Sequence, residues 1–259
     1  MLMHYEKYGD RSAPLMVFLH GGGVSGWMWD KQIQYFSRHY HCIVPDLPGH
    51  GRSKGEETFS MKRCAEELIG LVEEAGKGKK VNVIGFSLGA QVTVEMLGIK
   101  PELVDTAIIN SALVKPMSLR KWIKPTMALT FPLVKNRVFS KLQAKELYIG
   151  EEYFERYYEE SCQMKQGTLI SILEENMSFE IPDSFGKATA RMLVTVGEKE
   201  KAIMKKSAMD LVKSNPRCTG MIIPNVGHGL SFAHPDYFNQ MVEEWIHDES
   251  LPKEGKRIG

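Results

Sequence analysis

A serine lies between two glycines in Gly85-Phe86-Ser87-Leu88-Gly89, directly after the apolar run Val81–Ile84 and at the start of a helical pattern. A hydroxyl on a sharp strand-to-helix turn stands clear of its own backbone, and the helix N-terminus behind it favours developing negative charge. Glycines two residues to either side let neighbouring backbone approach closely. This is the setting of a nucleophile. The bland alternative is an ordinary strand–turn–helix joint with a serine N-cap, and the flanking strand and helix weigh against it.

Three other short segments have residue types that would complete such a site. His20-Gly21-Gly22-Gly23 follows the first apolar run. Glycines there let a backbone N–H point into a site unobstructed, so Gly22 is the candidate for one oxyanion donor and Leu88, the residue after the serine, for the other. His20 itself reads as a structural turn histidine. Asn225-Val226-Gly227-His228-Gly229 comes late in the chain, after the last apolar run and before a helix. Of the eight histidines, His228 has the best context for a general base, because the order serine, acid, histidine is then kept. The acid belongs on the loop after the run Met192–Val196, which reads Gly197-Glu198-Lys199-Glu200. Both Glu198 and Glu200 supply a carboxylate to orient the histidine, and a solvated surface charge is the usual fate of either. The loop Asp46-Leu47-Pro48-Gly49-His50-Gly51-Arg52-Ser53 is rich in turn residues, with His50 and Arg52 read as holding it.

The elements that must position these residues are legible as two alternating patterns. Leu15–Leu19, Cys42–Val44, Val81–Ile84, Thr106–Ile109, Met192–Val196 and Met221–Ile223 are short continuous apolar runs, as expected of parallel strands covered on both faces. Between them, Ser60 caps a helical pattern through Met61, Ala65, Leu68, Val72 and Ala75, with Gly76 after the last turn. Further helices are predicted from Leu88 to about Ile99 and from His234 to Ile246. The fold class is therefore α/β, a doubly wound and mostly parallel sheet. The stretch 112–187 contains no good strand and reads as an inserted helical lid. Residues 112–145 carry eight basic and no acidic residues, whereas 146–183 carry ten acidic and two basic ones, Arg156 and Lys165. Trp122, Met127, Phe131 and Phe139 make the first half apolar as well as basic. These halves are read as facing solvent or each other, with contact between 112–145 and a membrane surface as the sharper alternative. The polar tail after Asp248 is expected to fray.

Composition narrows the function classes. A chain of 259 residues suits one α/β domain with an insertion. The 33 basic and 32 acidic residues nearly balance, so no overall field points to nucleic acid or an anionic surface. Cys42, Cys64, Cys162 and Cys218 are far apart, which argues against a zinc site or redox dithiol. Residues Met1 to Gly9 lack a signal-peptide layout, and the first apolar run is too short to span a bilayer. The expectation is a cytoplasmic protein acting on a small molecule, as monomer or homodimer, without metal or cofactor.

Together these motifs, with Trp29, His234-Pro235 and Trp245-Ile246, resemble the α/β-hydrolase superfamily, specifically its lidded esterase, lactonase and C–C hydrolase branch. The resemblance covers nearly the whole chain and is specific to superfamily rather than substrate. It implies a hydrolase core at 1–111 and 188–259, with a lid at 112–187 between the sixth and seventh sheet strands. Relatives usually read Gly-Glu-Lys-Asp in the acid loop, which maps the acid to Glu200 by position. In others the acid follows an earlier strand, where this chain has Asn110 and Ser111. Serine at the elbow separates the chain from relatives that carry an aspartate nucleophile. The implied activity is hydrolysis of an ester, lactone or thioester-like acyl substrate with an apolar group, through an acyl-enzyme on Ser87. The alternatives are a receptor or signalling protein of the same fold with slow or no turnover, and non-hydrolytic use of the same residues, as in hydroxynitrile lyases or perhydrolases.

Overall fold

The computed structural model describes residues 3–53, 58–118, 122–248, 250–251 and 254–258. An edge strand β1 (Tyr5–Tyr8) precedes β2 (Leu15–Leu19), and the short helix α1 (Asp30–Phe36) leads to β3 (His41–Pro45). Helix α2 (Met61–Ala75) connects to β4 (Val81–Phe86), and α3 (Leu88–Ile99) connects β4 to β5 (Thr106–Asn110). Four helices follow: α4 (Ile123–Val134), α5 (Arg137–Glu146), α6 (Glu151–Gln163) and α7 (Gln166–Ser178). The chain then returns through β6 (Arg191–Gly197), α8 (Ala202–Ser214) and β7 (Cys218–Ile223) to the one-turn α9 (Leu230–Ala233) and to α10 (Pro235–Asp248), and ends in β8 (Lys256–Ile258). The sheet order is β1-β3-β2-β4-β5-β6-β7-β8, parallel throughout except for the two edge strands.

The continuous apolar runs have a direct physical reason. Successive side chains of a strand point to opposite faces, and both faces of this sheet are covered. Leu15, Val17 and Leu19 of β2 enter one core together with Leu68 and Val72 of α2 and with Val92 and Leu97 of α3. Met16 and Phe18 enter the other core, with Phe36 of α1 and with Phe238 and Trp245 of α10. Truncating a fully buried ring such as Phe18 to alanine would cost about 3–5 kcal/mol. Five of the six parallel strands, α2, α3 and α10 fall within two residues of their predicted bounds, and β7 starts three residues before the predicted Met221. Ser60 caps α2 by accepting from the Arg63 N–H, and the Gly76 N–H closes onto the Val72 carbonyl.

Two sequence expectations need correction. The tail is not frayed where it is described. Lys256–Ile258 pairs antiparallel with Gly220–Ile222, and Ile258 is buried. The chain turns back because β7 would otherwise present an unpaired edge. The helical insertion also follows the fifth strand rather than the sixth, since a single strand, β1, precedes β2 in the described residues.

The inserted helices attach unevenly. Helix α7 is tied to the core: Ser171 Oγ accepts from Phe59 N–H, Glu175 accepts from Met61 N–H at the start of α2, and Gln91 of α3 bonds Asn176 in both directions. A carboxylate there satisfies an orphan N–H and suits the positive end of α2. Helix α6 is held by Glu160, which accepts from Ser25 Oγ and Trp27 Nε1, while Trp27 stacks on Tyr153. Helix α4 buries only Ile123, whereas Leu129 is 82% exposed. Among the described residues, no disulfide joins the four cysteines and no helix is long and apolar enough to cross a membrane.

Candidate active site

Ser87 sits between the end of β4 and the first residue of α3, with φ +52° and ψ −111°. A non-glycine residue at positive φ is strained, and the surroundings must hold it there. The Ser87 N–H is fixed by the Asn110 carbonyl at 2.9 Å, and the Ser87 carbonyl accepts from Gln91 N–H in α3. The flanking glycines are required by close approach. A Cβ on Gly85 would fall 2.5 Å from the Gly89 carbonyl oxygen, and one on Gly89 would fall 2.2 Å from that of Leu19. Helix α3 thus packs against β2 and β4 more tightly than any side chain would permit, and its first turn is aimed at the serine.

The serine, the histidine and one of the two glutamates meet. Ser87 Oγ lies 2.9 Å from His228 Nε2, and His228 Nδ1 lies 2.7 Å from Glu200 Oε2. The His228 side chain is 30% exposed and that of Glu200 only 3%. Glycine again decides the approach: a Cβ on Gly197 would sit 2.3 Å from the Gly227 carbonyl oxygen, so the loops after β6 and β7 can lie against each other. Glu198 and Lys199 donate backbone N–H groups to the Ile223 and Val226 carbonyls, and this pairing turns Glu200 inward. Glu198 faces solvent and accepts from Asn225 N–H. The longer side chain of glutamate is accommodated by burial and three partners, because Glu200 Oε1 accepts from both Gly197 N–H (2.8 Å) and Ser111 Oγ (2.7 Å). Burial pushes the Glu200 pKa up. The His228 hydrogen bond and charge, with the Gly197 and Ser111 donors, more than offset this and leave the carboxyl below its ordinary value.

Two residues around this set escape sequence reasoning. Ser111 reads only as a residue unable to serve as the acid. It stands at φ +59° with its N–H on the Thr195 carbonyl, and its hydroxyl braces Glu200. Tyr148, between α5 and α6, accepts from Gly227 N–H through its hydroxyl at 3.0 Å, next to His228. Tyr148 adopts a φ of +58°, yet nothing in Leu147-Tyr148-Ile149 marks a turn, so no local signal points to it.

The glycine turn lies against the serine. A Cβ on Gly21 would be 3.5 Å from Ser87 Cβ, and one on Gly22 would be 3.9 Å from Leu88 Cδ2 and from Ile172 Cγ2 of α7. Leu88 is the first residue of α3, so its N–H lacks an intrahelical acceptor. His20 is structural, as its turn context suggests. Its Nδ1 donates to the Gly21 carbonyl and its Nε2 accepts from Leu47 N–H, each at 2.8 Å, and burial lowers its pKa to about 4. His50 packs edge-on against it at 5.0 Å, fully buried, with its pKa lowered to about 3 by burial and the neighbouring His20. Asp46 holds the same loop, accepting from Gly26 N–H and Arg52 N–H. Among the described residues no three His, Cys, Asp or Glu side chains converge as metal ligands.

The chain has relatives among known proteins. The family model for the alpha/beta hydrolase fold matches residues 14–235. The (E)-2-((N-methylformamido)methylene)succinate hydrolase of Acinetobacter baylyi is 23% identical over 253 residues, which is 94% of this chain and 93% of that protein. A pimeloyl-[acyl-carrier protein] methyl ester esterase of Aeromonas hydrophila is 22% identical, covering 95% of this chain and all of the relative (100%). Among solved structures, the enol-lactonase of Burkholderia xenovorans superposes with a TM-score of 0.80 at 16% identity, covering 95% of this chain and 96% of that one. With most of its length matched by the family model and both edges of the parallel sheet in place, the chain belongs to the alpha/beta hydrolase fold family.

Proposed function

We propose that this protein is a serine hydrolase that cleaves a carboxylic ester, lactone or related acyl substrate through an acyl-enzyme on Ser87. The observation that carries this reading is the continuous relay from Ser87 Oγ through both nitrogens of His228 to the buried Glu200. His228 Nε2 takes the Ser87 proton as the oxygen attacks the carbonyl carbon, then passes it to the leaving alcohol. Glu200 remains ionised and fixes the Nδ1–H tautomer. The N–H groups of Gly22 and Leu88 stabilise the oxyanion, each worth about 3 kcal/mol of barrier. Water, deprotonated by His228, then attacks the acyl-enzyme, releases the acid and restores Ser87.

Residues 112–187 serve as the lid over a core formed by 1–111 and 188–259. In support, Ile172 lies over Gly22 and Tyr148 reaches Gly227. Leu88 and Ile172 beside the glycine turn suit an apolar group on the substrate. The relatives named above act, by their names, on an amide-bearing succinate, a methyl ester and an enol lactone, which fits acyl chemistry at this site. The sequence-level ground for a receptor without turnover is a glutamate in the acid loop, and the Glu200–His228 contact weakens it.

A fluorophosphonate probe with mass spectrometry tests the reading directly. Ser87 is expected to be the labelled residue, and Ser87→Ala to lose labelling and at least about 10⁴-fold in kcat/KM on p-nitrophenyl esters. A Ser87→Ala protein that keeps most of its esterase activity would sink the proposal.

A further inference from the structure

We propose that the outer face of α4 and α5 is a docking surface for an anionic lipid bilayer. Trp122, Leu129 and Leu133 recur at helical spacing along α4 and the residue before it, and are 58%, 82% and 44% exposed. Val138 and Leu142 form a second stripe along α5, 71% and 61% exposed. Single exposed apolar residues need no explanation, but two stripes on consecutive, contacting helices are the kind of feature that marks an interaction site. Interfacial helices have this layout, with an apolar stripe that includes Trp and Leu and lysines alongside.

Charge selects the occupant. Residues 112–145 hold eight basic residues and no acidic one. Lys124 and Arg137 are spent on Glu174 and Glu155 of the neighbouring helices. Lys135, Lys141 and Lys145 make no ion pair among the described residues, and Lys135 and Lys141 lie over the rings of Phe131 and Phe154 instead. The acidic half of the insertion is partly turned inward, with Glu160 on Ser25 and Trp27 and Glu175 on the start of α2. The apolar stripes are therefore bordered by the lysines Lys135, Lys141 and Lys145, with Glu146 at the last turn of α5 and Glu155 neutralised by Arg137. A second copy of the chain is a poor occupant, because a two-fold contact through this face sets lysine against lysine. A bilayer with anionic headgroups satisfies both features, taking the apolar side chains below the headgroup plane and the lysines at it.

The test is flotation of the full chain with phosphatidylglycerol vesicles and with phosphatidylcholine vesicles, at low and at physiological salt. Binding is expected with phosphatidylglycerol at low salt, weaker at physiological salt, and at least about tenfold weaker with phosphatidylcholine. Lys135→Gln with Lys141→Gln should weaken binding about 25-fold, at about fivefold per lysine. Leu129→Glu with Leu142→Glu should abolish flotation. Both double variants should hydrolyse a short soluble ester as the parent does, which separates lost docking from lost folding. Absence of flotation at low salt overturns the proposal, as does equal flotation by parent and variants. Sedimentation velocity showing a dimer that Leu129→Glu with Leu142→Glu dissociates would assign the face to a second copy and overturn it. Binding to soluble poly-glutamate without vesicle binding would assign the face to an acidic protein and overturn it equally.

Discussion

Two loop regions at the carboxyl ends of the strands both present histidines beside glycines, and they use them in opposite ways. At β2 and β3, His20 and His50 are fully buried, and burial keeps both neutral. The Gly21 carbonyl and the Leu47 N–H take both nitrogens of His20, so that ring is a strut between two loops. At β6 and β7, His228 stays 30% exposed, and its two nitrogens meet a hydroxyl and a carboxylate. The difference lies in the partners. Backbone groups fix a tautomer permanently, whereas a serine hydroxyl and an ionised glutamate leave a proton that can move. Glycine context is shared, so it alone does not separate a strut from the base proposed for His228.

The largest break in that comparison is at the carboxylate. Glu200→Gln should leave His228 without a charge partner and lower kcat by about 10³–10⁴-fold, while Glu198→Gln changes it less than about twofold. Steady-state kinetics on a p-nitrophenyl ester separates the two, and equal losses would show that the inward turn at Glu200 does not matter. A smaller effect is expected one contact further out. Ser111→Ala removes a donor to an ionised buried oxygen and should cost about tenfold in kcat with little change in KM. Ser111→Thr should restore part of it if the hydroxyl positions Glu200.

The smallest effect concerns the struts, and it shows in stability rather than rate. Both His20 and His50 have folded-state pKa values below the ordinary 6.5, so the unfolded chain binds protons that the folded one refuses. Stability should be unaffected by these groups above pH 6.5 and should fall as pH drops from there toward about 4, by at most about 1.4 kcal/mol per pH unit per histidine. His50→Gln removes one of the two. Chemical denaturation across that range should show a shallower slope for the variant, and an unchanged slope would mean that His50 is protonated without unfolding.

The sheet and the ends of the site were legible in the sequence because their signals are local. A strand buried on both faces is a continuous apolar run, and Gly85 is forced by contacts of its own strand–helix joint, although Gly89 answers to the Leu19 backbone of β2. What stayed hidden depends on contacts distant in sequence. Glu198 and Glu200 are two residues apart and chemically alike, and only the pairing of their loop with Ile223 and Val226 decides which one turns inward. Ser111 is separated by 89 positions from the carboxylate it braces, and Tyr148 by 79 from Gly227. The edge strands β1 and β8 escaped for a different reason: they are short and mostly polar, with nothing to distinguish them from loop.

That polarity has its own consequence. A sheet of parallel apolar strands ends, on each side, in a row of unpaired amides able to recruit another chain. Here both margins are finished with an antiparallel strand of only four or three residues, which carry Glu6 and Lys7 on one side and Lys256 and Arg257 on the other. These strands add little to the core. They act as a selvedge, closing the sheet with charged side chains that resist growth into an aggregate.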